Sequence, residues 1–400
     1  MFKVLRQNIL KEVQTLSSRV IAKKRIPIPH IHISPKILQF AKSNVVMLVA
    51  FFAAAVTSVI VPPDHAYLGY FDLKTLSCLY CVLAVVCALR NIKFFYTMAQ
   101  KIVELFKNIR LCVLALVYIT FIGSMLIAND MALLTFLPLG FFVLNTTSKQ
   151  KYMAFTFIMQ NIAANLGGML TPFGNPQNLY LYTKFNIPNG EFMSIMAPPF
   201  IISIILITLC CIMFVRPEPL EIKGDKVKLP KCKTALYLCL FALSIAIVFR
   251  NIPYLIGLVV ITAVLAFVDR DALKKVDYPL LLTFVFFFIF AGNMARIDAV
   301  RETFSYMLGK NTMLFSVASC QVISNVPSAI LLSQFTGNYR ELLIGVNIGG
   351  AGTLIASLAS LITFREYTKH NPDGTLGYIK KFTAFNFAIL GILIAFMLII

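Results

Sequence analysis

Two stretches of this chain set glycines, amides and a threonine in the middle of apolar sequence, and they constrain the fold more than any other feature. The first is Asn165-Leu166-Gly167-Gly168-Met169-Leu170-Thr171-Pro172-Phe173-Gly174-Asn175-Pro176-Gln177-Asn178; the second is Asn347-Ile348-Gly349-Gly350-Ala351-Gly352-Thr353. Each reads as a helix broken at its centre. Backbone freed by such a break is tolerated in hydrocarbon only where it lines a cavity or is buried in protein. Each break therefore implies a polar site inside the molecule. Of the 400 residues, 59% are hydrophobic and 13% charged, and mean hydropathy is +0.82. Several apolar runs are long enough to cross a bilayer, which implies a multi-span membrane protein and not a string of soluble domains.

The net charge of +19 does not point to nucleic acid, because the basic residues lie between apolar runs and do not gather on a soluble domain. The nine cysteines fall inside or beside those runs and read as small core residues, with no secreted disulfide framework. Cys78 and Cys81 form a C-x-x-C without a nearby histidine or second pair, so no metal site is expected. No P-loop and no grouped acid, base and nucleophile appear, and the four histidines (His30, His32, His65, His370) lie in the N-terminal segment or in loops. An enzyme is not expected.

Taken in order, residues 1–42 form a basic segment whose part from Met1 to Ala22 suits an amphipathic helix on an anionic cytoplasmic leaflet. Spans follow at Asn44–Val61 and Leu73–Leu89. Asn91–Arg110 is a charged amphipathic arm. Leu111–Ala128 and Met131–Leu144 flank Asn129-Asp130; the second piece is short for a crossing, so the pair is expected to be a re-entrant hairpin with Asn129 and Asp130 at its tip. The first broken helix and a span at Met193–Val215 complete a first transmembrane repeat over 43–215. A charged loop and a single span, Thr234–Phe249, make a linking segment over 216–253. In 254–400 the same parts recur: an arm at Met294–Lys310, two apolar pieces flanking Ser324-Asn325, the second broken helix and a final span.

With the N-terminus in the cytoplasm, 29 of the 36 lysines and arginines fall on the cytoplasmic side, and Lys74, Lys184, Arg250, Arg296, Arg301, Lys310 and Arg340 fall outside. The first hairpin then opens from the cytoplasm and the second from outside, so the second repeat is inverted and the C-terminus lies outside the cell (inner) membrane. The expected fold is an all-α polytopic membrane protein of two inverted-topology repeats, with about nine full spans plus two hairpins. Inverted repeats with broken helices meeting near the midplane point to a secondary transporter. Asp130 is the one carboxylate placed deep in the membrane, where a charge marks an ion or proton pathway by default. Capping of the returning helix is compatible with that role.

The strings Thr171-Pro-Phe-Gly-Asn-Pro-Gln-Asn178, Ser324-Asn-Val-Pro-Ser328 and Asn347-Ile-Gly-Gly-Ala-Gly-Thr353 resemble those of the YbiR-type bacterial permeases. These belong to the citrate-transporter-like, arsenical-pump-like group of the ion transporter superfamily, which is related to divalent-anion sodium symporters. The resemblance implies a scaffold domain and a moving transport domain that work as an elevator, usually in a homodimer embedded in the lipid bilayer, with no cofactor beyond a coupling H⁺ or Na⁺. Carried over by motif position, Asn129, Thr171, Gly174, Asn175, Gln177 and Asn178 would form one half-site for a small anionic solute. Ser324, Asn325, Asn347, Gly350, Thr353 and Ser357 would form the other, with Asp130, Asn129 and Asn325 serving the coupling ion. Dicarboxylate symporters of the superfamily have Ser-Asn-Thr at both tips; here the tips read Ala-Asn-Asp and Ser-Asn-Val. The carboxylate admits proton coupling and could equally hold Na⁺. The sequence-level expectation is a secondary active transporter of a small anion or oxyanion, with an Na⁺/H⁺ antiporter or a passive anion channel as alternatives.

Overall fold

The computed structural model describes residues 44–220 and 229–400. The amphipathic helix expected at Met1–Ala22 lies outside them. Residues 46–400 form one compact unit, and among the described residues the regular structure is helical apart from one isolated bridge, Asn108 with Pro219. The chain runs through α1 (Val45–Ile60), α2 (Leu73–Asn91), α3 (Phe94–Val103), α4 (Ile109–Ile127), α5 (Asn129–Thr146), α6 (Met153–Gly167), α7 (Pro176–Lys184), α8 (Asn189–Phe214) and α9 (Lys231–Val248). It continues through α10 (Tyr254–Val268), α11 (Arg270–Lys274), α12 (Tyr278–Ala295), α13 (Asp298–Lys310), α14 (Thr312–Ile323), α15 (Asn325–Leu332), α16 (Tyr339–Ile348), α17 (Leu358–His370) and α18 (Thr375–Ile399).

Six helices among the described residues are long and apolar enough to cross a membrane: α2, α4, α8, α9, α12 and the stretch ending in α18. Shorter apolar helices stand at α1, α10 and α14. The charged arms expected at Asn91–Arg110 and Met294–Lys310 are the short helices α3 and α13. Several boundaries shift by a few residues, and one shift bears on the first hairpin. The second arm of the first hairpin is 18 residues long, not 14, because Asn129 and Asp130 enter its first turn and Asn145 and Thr146 its last. Length alone would let either arm of this hairpin cross. The first arm ends at Ala128, and the next residue, Asn129, donates its N–H to the Gly174 carbonyl in the break between α6 and α7.

The two halves of the chain repeat their packing. The most extensive helix pairings are α4 on α6 and α14 on α16, each the first arm of a hairpin against the front half of the following broken helix. The back halves are exchanged: α7 packs on α15, the second arm of the other hairpin, and α17 packs on α5. Tyr180 Oη meets Ser333 Oγ (2.9 Å) at the first of these contacts, and the Phe141 and His370 rings stack 3.6 Å apart at the second.

Loop contacts sort into two groups. Lys149, Lys151 and Tyr152 all reach the Glu218 carboxylate, and Asn91 and Tyr237 donate to Asp269. In the other group Arg296 forks onto Asp64, Arg250 donates to the Tyr182 carbonyl, and Tyr339 donates to Glu191. Charge counting assigns Lys149 and Lys151 of the first group to the cytoplasm and Arg250 and Arg296 of the second to the outside.

Candidate functional site

The hairpin tips are built alike. Ala128 (φ 66°, ψ 151°) and Ser324 (φ 76°, ψ 158°) both adopt a backbone region normally reserved for glycine, at a cost of about 1–3 kcal/mol each. This conformation lets α4 end and α5 begin within one residue, and α14 and α15 likewise. The asparagine that follows is bound the same way in both copies. Asn129 N–H donates to the Gly174 carbonyl (3.1 Å) and Asn325 N–H to the Ala356 carbonyl (2.9 Å). Each accepts at Oδ1 from the next residue's N–H, Asp130 and Val326, at 2.9 Å.

The breaks are matched as closely. Thr171 Oγ1 donates to the Met125 carbonyl (2.7 Å) and Thr353 Oγ1 to the Gln321 carbonyl (3.1 Å). Both acceptors lie four residues before the tip asparagine. A side chain on Gly167 would lie 2.7 Å from Ser124 Oγ, and one on Gly349 3.1 Å from Cys320 Cβ, so glycine is what lets each broken helix approach its hairpin. Asn165 and Asn347 each donate from Nδ2 to the carbonyl one turn back, Asn161 (3.3 Å) and Leu343 (2.8 Å).

Between the two copies lies a buried amide cluster. Asn347 Nδ2 donates to Asn178 Oδ1 (2.7 Å), while its Oδ1 accepts from Asn175 Nδ2 (3.2 Å) and Gln177 Nε2 (3.4 Å). Asn175 also donates to the Asn165 carbonyl, and Asn178 to the carbonyls of Gly168, Met169 and Thr171. Asn129 Nδ2 donates to Asn165 Oδ1 (3.2 Å). A side chain on Gly350 would touch Asn325 Nδ2 at 3.1 Å and Asn165 Oδ1 at 3.7 Å, which puts the second break beside the first. The acceptor oxygens of Asn175 and Gln177 are buried without a partner among the described residues. Ser357 caps α17, accepting from Ser360 N–H, and Ser324 Oγ donates to the Ala356 carbonyl (3.3 Å).

Asp130 stands apart from this cluster. Its neighbour Asn129 faces α6, whereas Asp130 faces α2 across a cavity of about 50 Å³ lined by Leu79, Val82, Met131, Pro176, Asp277 and Leu358 among others. Both breaks contribute to that wall, through Pro176 and Leu358. The volume suits a few waters and is far below the roughly 300 Å³ at which small-molecule sites begin. Asp130 Oδ1 has no hydrogen-bond partner among the described residues. Asp277 caps α12 by accepting from Leu280 N–H (3.0 Å).

Sequence reasoning missed three members of the site. Gln321 clamps the second break, donating to the Gly349 carbonyl (2.8 Å) and accepting from Thr353 N–H (2.9 Å). Asn165, the counterpart of Asn347 in the first break, accepts from Asn129 at Oδ1 and from Asn175 at its carbonyl. Asp277, which lines the cavity with Asp130, is the third.

Four helix N-termini (α5, α7, α15, α17) and four C-termini (α4, α6, α14, α16) thus meet at the tips and breaks. N-termini carry partial positive charge and free N–H groups that favour anions, and C-termini present carbonyls that favour cations. The protein is a polytopic membrane protein and a membrane transporter. The chain belongs to the citrate transporter family, matching it over residues 36–338. It is 36% identical over 296 residues to the "Uncharacterized transporter MJ0456" of Methanocaldococcus jannaschii, covering 73% of this chain and 80% of the relative. It is 29% identical over 286 residues to the "Inner membrane protein YbiR" of Escherichia coli, covering 68% and 74%. A third relative, the "46 kDa membrane protein" of Mycobacterium leprae, is 24% identical over 297 residues, covering 62% and 67%.

Proposed function

We propose that this protein is a secondary active transporter of a small anion or oxyanion, driven by a proton or sodium gradient and working by elevator-type alternating access. The observation that carries the reading is the duplicated bonding of tips and breaks, which gathers four helix N-termini and four C-termini around the Asn175–Asn347 contact. Read with the charge count, the copies are inverted: the first hairpin re-enters from the cytoplasm and the second from outside, with the N-terminus inside and the C-terminus outside. The same-side grouping of loop contacts supports that threading. A scaffold and a transport domain are supported by the packing, since α2 lies mainly on α9, α10 and α11 while hairpins and broken helices pack chiefly on one another.

In this reading the anion is held by N–H groups at the breaks and tips. Asp130 carries the coupling proton or shares the coupling Na⁺ with carbonyls. The 50 Å³ cavity is the closed form of the space between them. The membership in a citrate transporter family makes citrate the first anion to test. Purified protein in proteoliposomes should accumulate radiolabelled citrate, or one of succinate, sulfate and arsenite, above equilibrium under an imposed pH or Na⁺ gradient. Equilibration without accumulation would mean a channel, and Na⁺/H⁺ exchange in the absence of any anion would mean an antiporter.

A further inference from the structure

Three cavities are strung along α2. Near its start, Lys74, Lys184, Tyr180 and Gln334 line an open space of about 440 Å³, where Asp72 also faces. Leu79, Val82 and Leu83 at its middle wall the Asp130 cavity. At its end Arg90 opens with Lys93 into a third space of about 370 Å³ against α3 and α5. Lys74 and Arg90 are about 24 Å apart along the helix at 1.5 Å per residue.

The third space is the more telling, because no carboxylate among the described residues lines it: its wall is Arg90, Lys93, Phe95, Tyr96, Gln100, Leu134, Thr135, Pro138 and Phe142. Lys93 sits at a left-handed turn (φ 56°) joining α2 to α3, which brings its side chain to the same space as Arg90. This space and the Asp130 cavity share a partition. Leu134 lines both, and Met131, which lines the Asp130 cavity, meets Arg90 Nη1 with its sulfur at 3.9 Å. One turn after Leu134 comes Pro138, which has no N–H for the Leu134 carbonyl, so α5 is weakened beside the partition.

We propose that Arg90 and Lys93 form an anion-collecting mouth of the transport route, closed from the Asp130 cavity by Leu134 and Met131 on the weakened segment of α5. The inference rests on the transport reading but is tested without a known substrate. Clefts lined by one sign of charge raise local counter-ion concentration by about tenfold or more. A cysteine at Leu134, with the exposed Cys232 and Cys239 replaced by serine, should therefore react about tenfold faster with a negatively charged methanethiosulfonate than with a positively charged one, in vesicles of neutral phosphatidylcholine. With Arg90→Gln and Lys93→Gln the two rates should become similar, while citrate should slow labelling only when both basic residues are present. If charge selectivity survives neutralisation, the mouth is not formed by these residues and the proposal fails. It fails also if anionic phosphatidylglycerol shields the cysteine and citrate does not, since the pair then holds a lipid headgroup. Absence of citrate accumulation in the parent protein, with charge selectivity intact and lost on neutralisation, would overturn citrate as substrate and leave the mouth standing.

Discussion

Replacing Asn347 with alanine removes a side chain that bonds three amides of the first break, Asn175, Gln177 and Asn178. Asn178 Oδ1 loses its donor (2.7 Å) and Gln177 Nε2 its acceptor (3.4 Å), and both residues are fully buried. Asn175 keeps its bond to the Asn165 carbonyl, so only two atoms are newly orphaned. An orphaned buried polar group costs about 1–3 kcal/mol, which gives a loss of about 2–6 kcal/mol for Asn347→Ala. Hydrogen bonds in membrane proteins average only about 0.6 kcal/mol when the partners can find others. The larger figure depends on the amides being held rigidly enough that they cannot. Asn386→Leu is the control: its Nδ2 bonds within its own helix to Phe382 and its Oδ1 is unpaired, so its removal should be neutral or stabilising. Titration of the folded fraction with sodium dodecyl sulfate in mixed micelles measures both. A loss under about 1 kcal/mol for Asn347→Ala would show that the amides repair themselves with water or one another, and that Asn347 does not lock the breaks together.

Three further outcomes follow from the geometry. Gly167→Ala should destabilise by about 1–3 kcal/mol by pushing α6 off α4, whereas Gly190→Ala, whose new carbon meets nothing within 4 Å, should be silent in the same titration. Ala128→Gly and Ser324→Gly should each stabilise by about 1 kcal/mol, since glycine adopts the tip conformation freely; a loss of stability would refute the claim of strain. Hydrogen bonds from Lys149, Lys151 and Tyr152 hold the Glu218 carboxyl down to about 2. A depressed carboxylate contributes stability above its unfolded value and loses it as pH falls through the folded value. Parent protein should therefore resist proteolysis in the loop after α8 better than Glu218→Gln at pH 7, with the gap closing as pH falls from about 4 toward 2; a gap that persists at the acid end would refute the ionic origin.

Much of this interior was legible in the chain. Glycines inside apolar runs, joined by prolines in the first, located both breaks, and polar pairs between apolar pieces located both tips, because a helix cannot hide those residues in hydrocarbon without a reason. The repeated Asn-x-Gly-Gly-x-x-Thr marked positions that turn out to make the same contacts twice. What periodicity could not convey was direction around the helix axis. Asn129 and Asp130 are adjacent in sequence yet about 100° apart on α5, and that rotation sends one to the amide cluster and the other to the α2 cavity. The partners of Thr171 and Thr353 were hidden for another reason: they are backbone carbonyls, at Met125 and Gln321, and any residue supplies one. Asp277 was illegible because its place opposite Asp130 depends on packing between segments far apart in the chain.

In the proposed mechanism, gradient energy enters through Asp130 in the cavity between the breaks and α2. The direct measurement compares anion accumulation by the parent protein and by Asp130→Asn in proteoliposomes under a pH or Na⁺ gradient, with the folded fraction checked in parallel. The account predicts a folded variant that has lost accumulation above equilibrium while the parent retains it. Full gradient-driven accumulation by Asp130→Asn would contradict it.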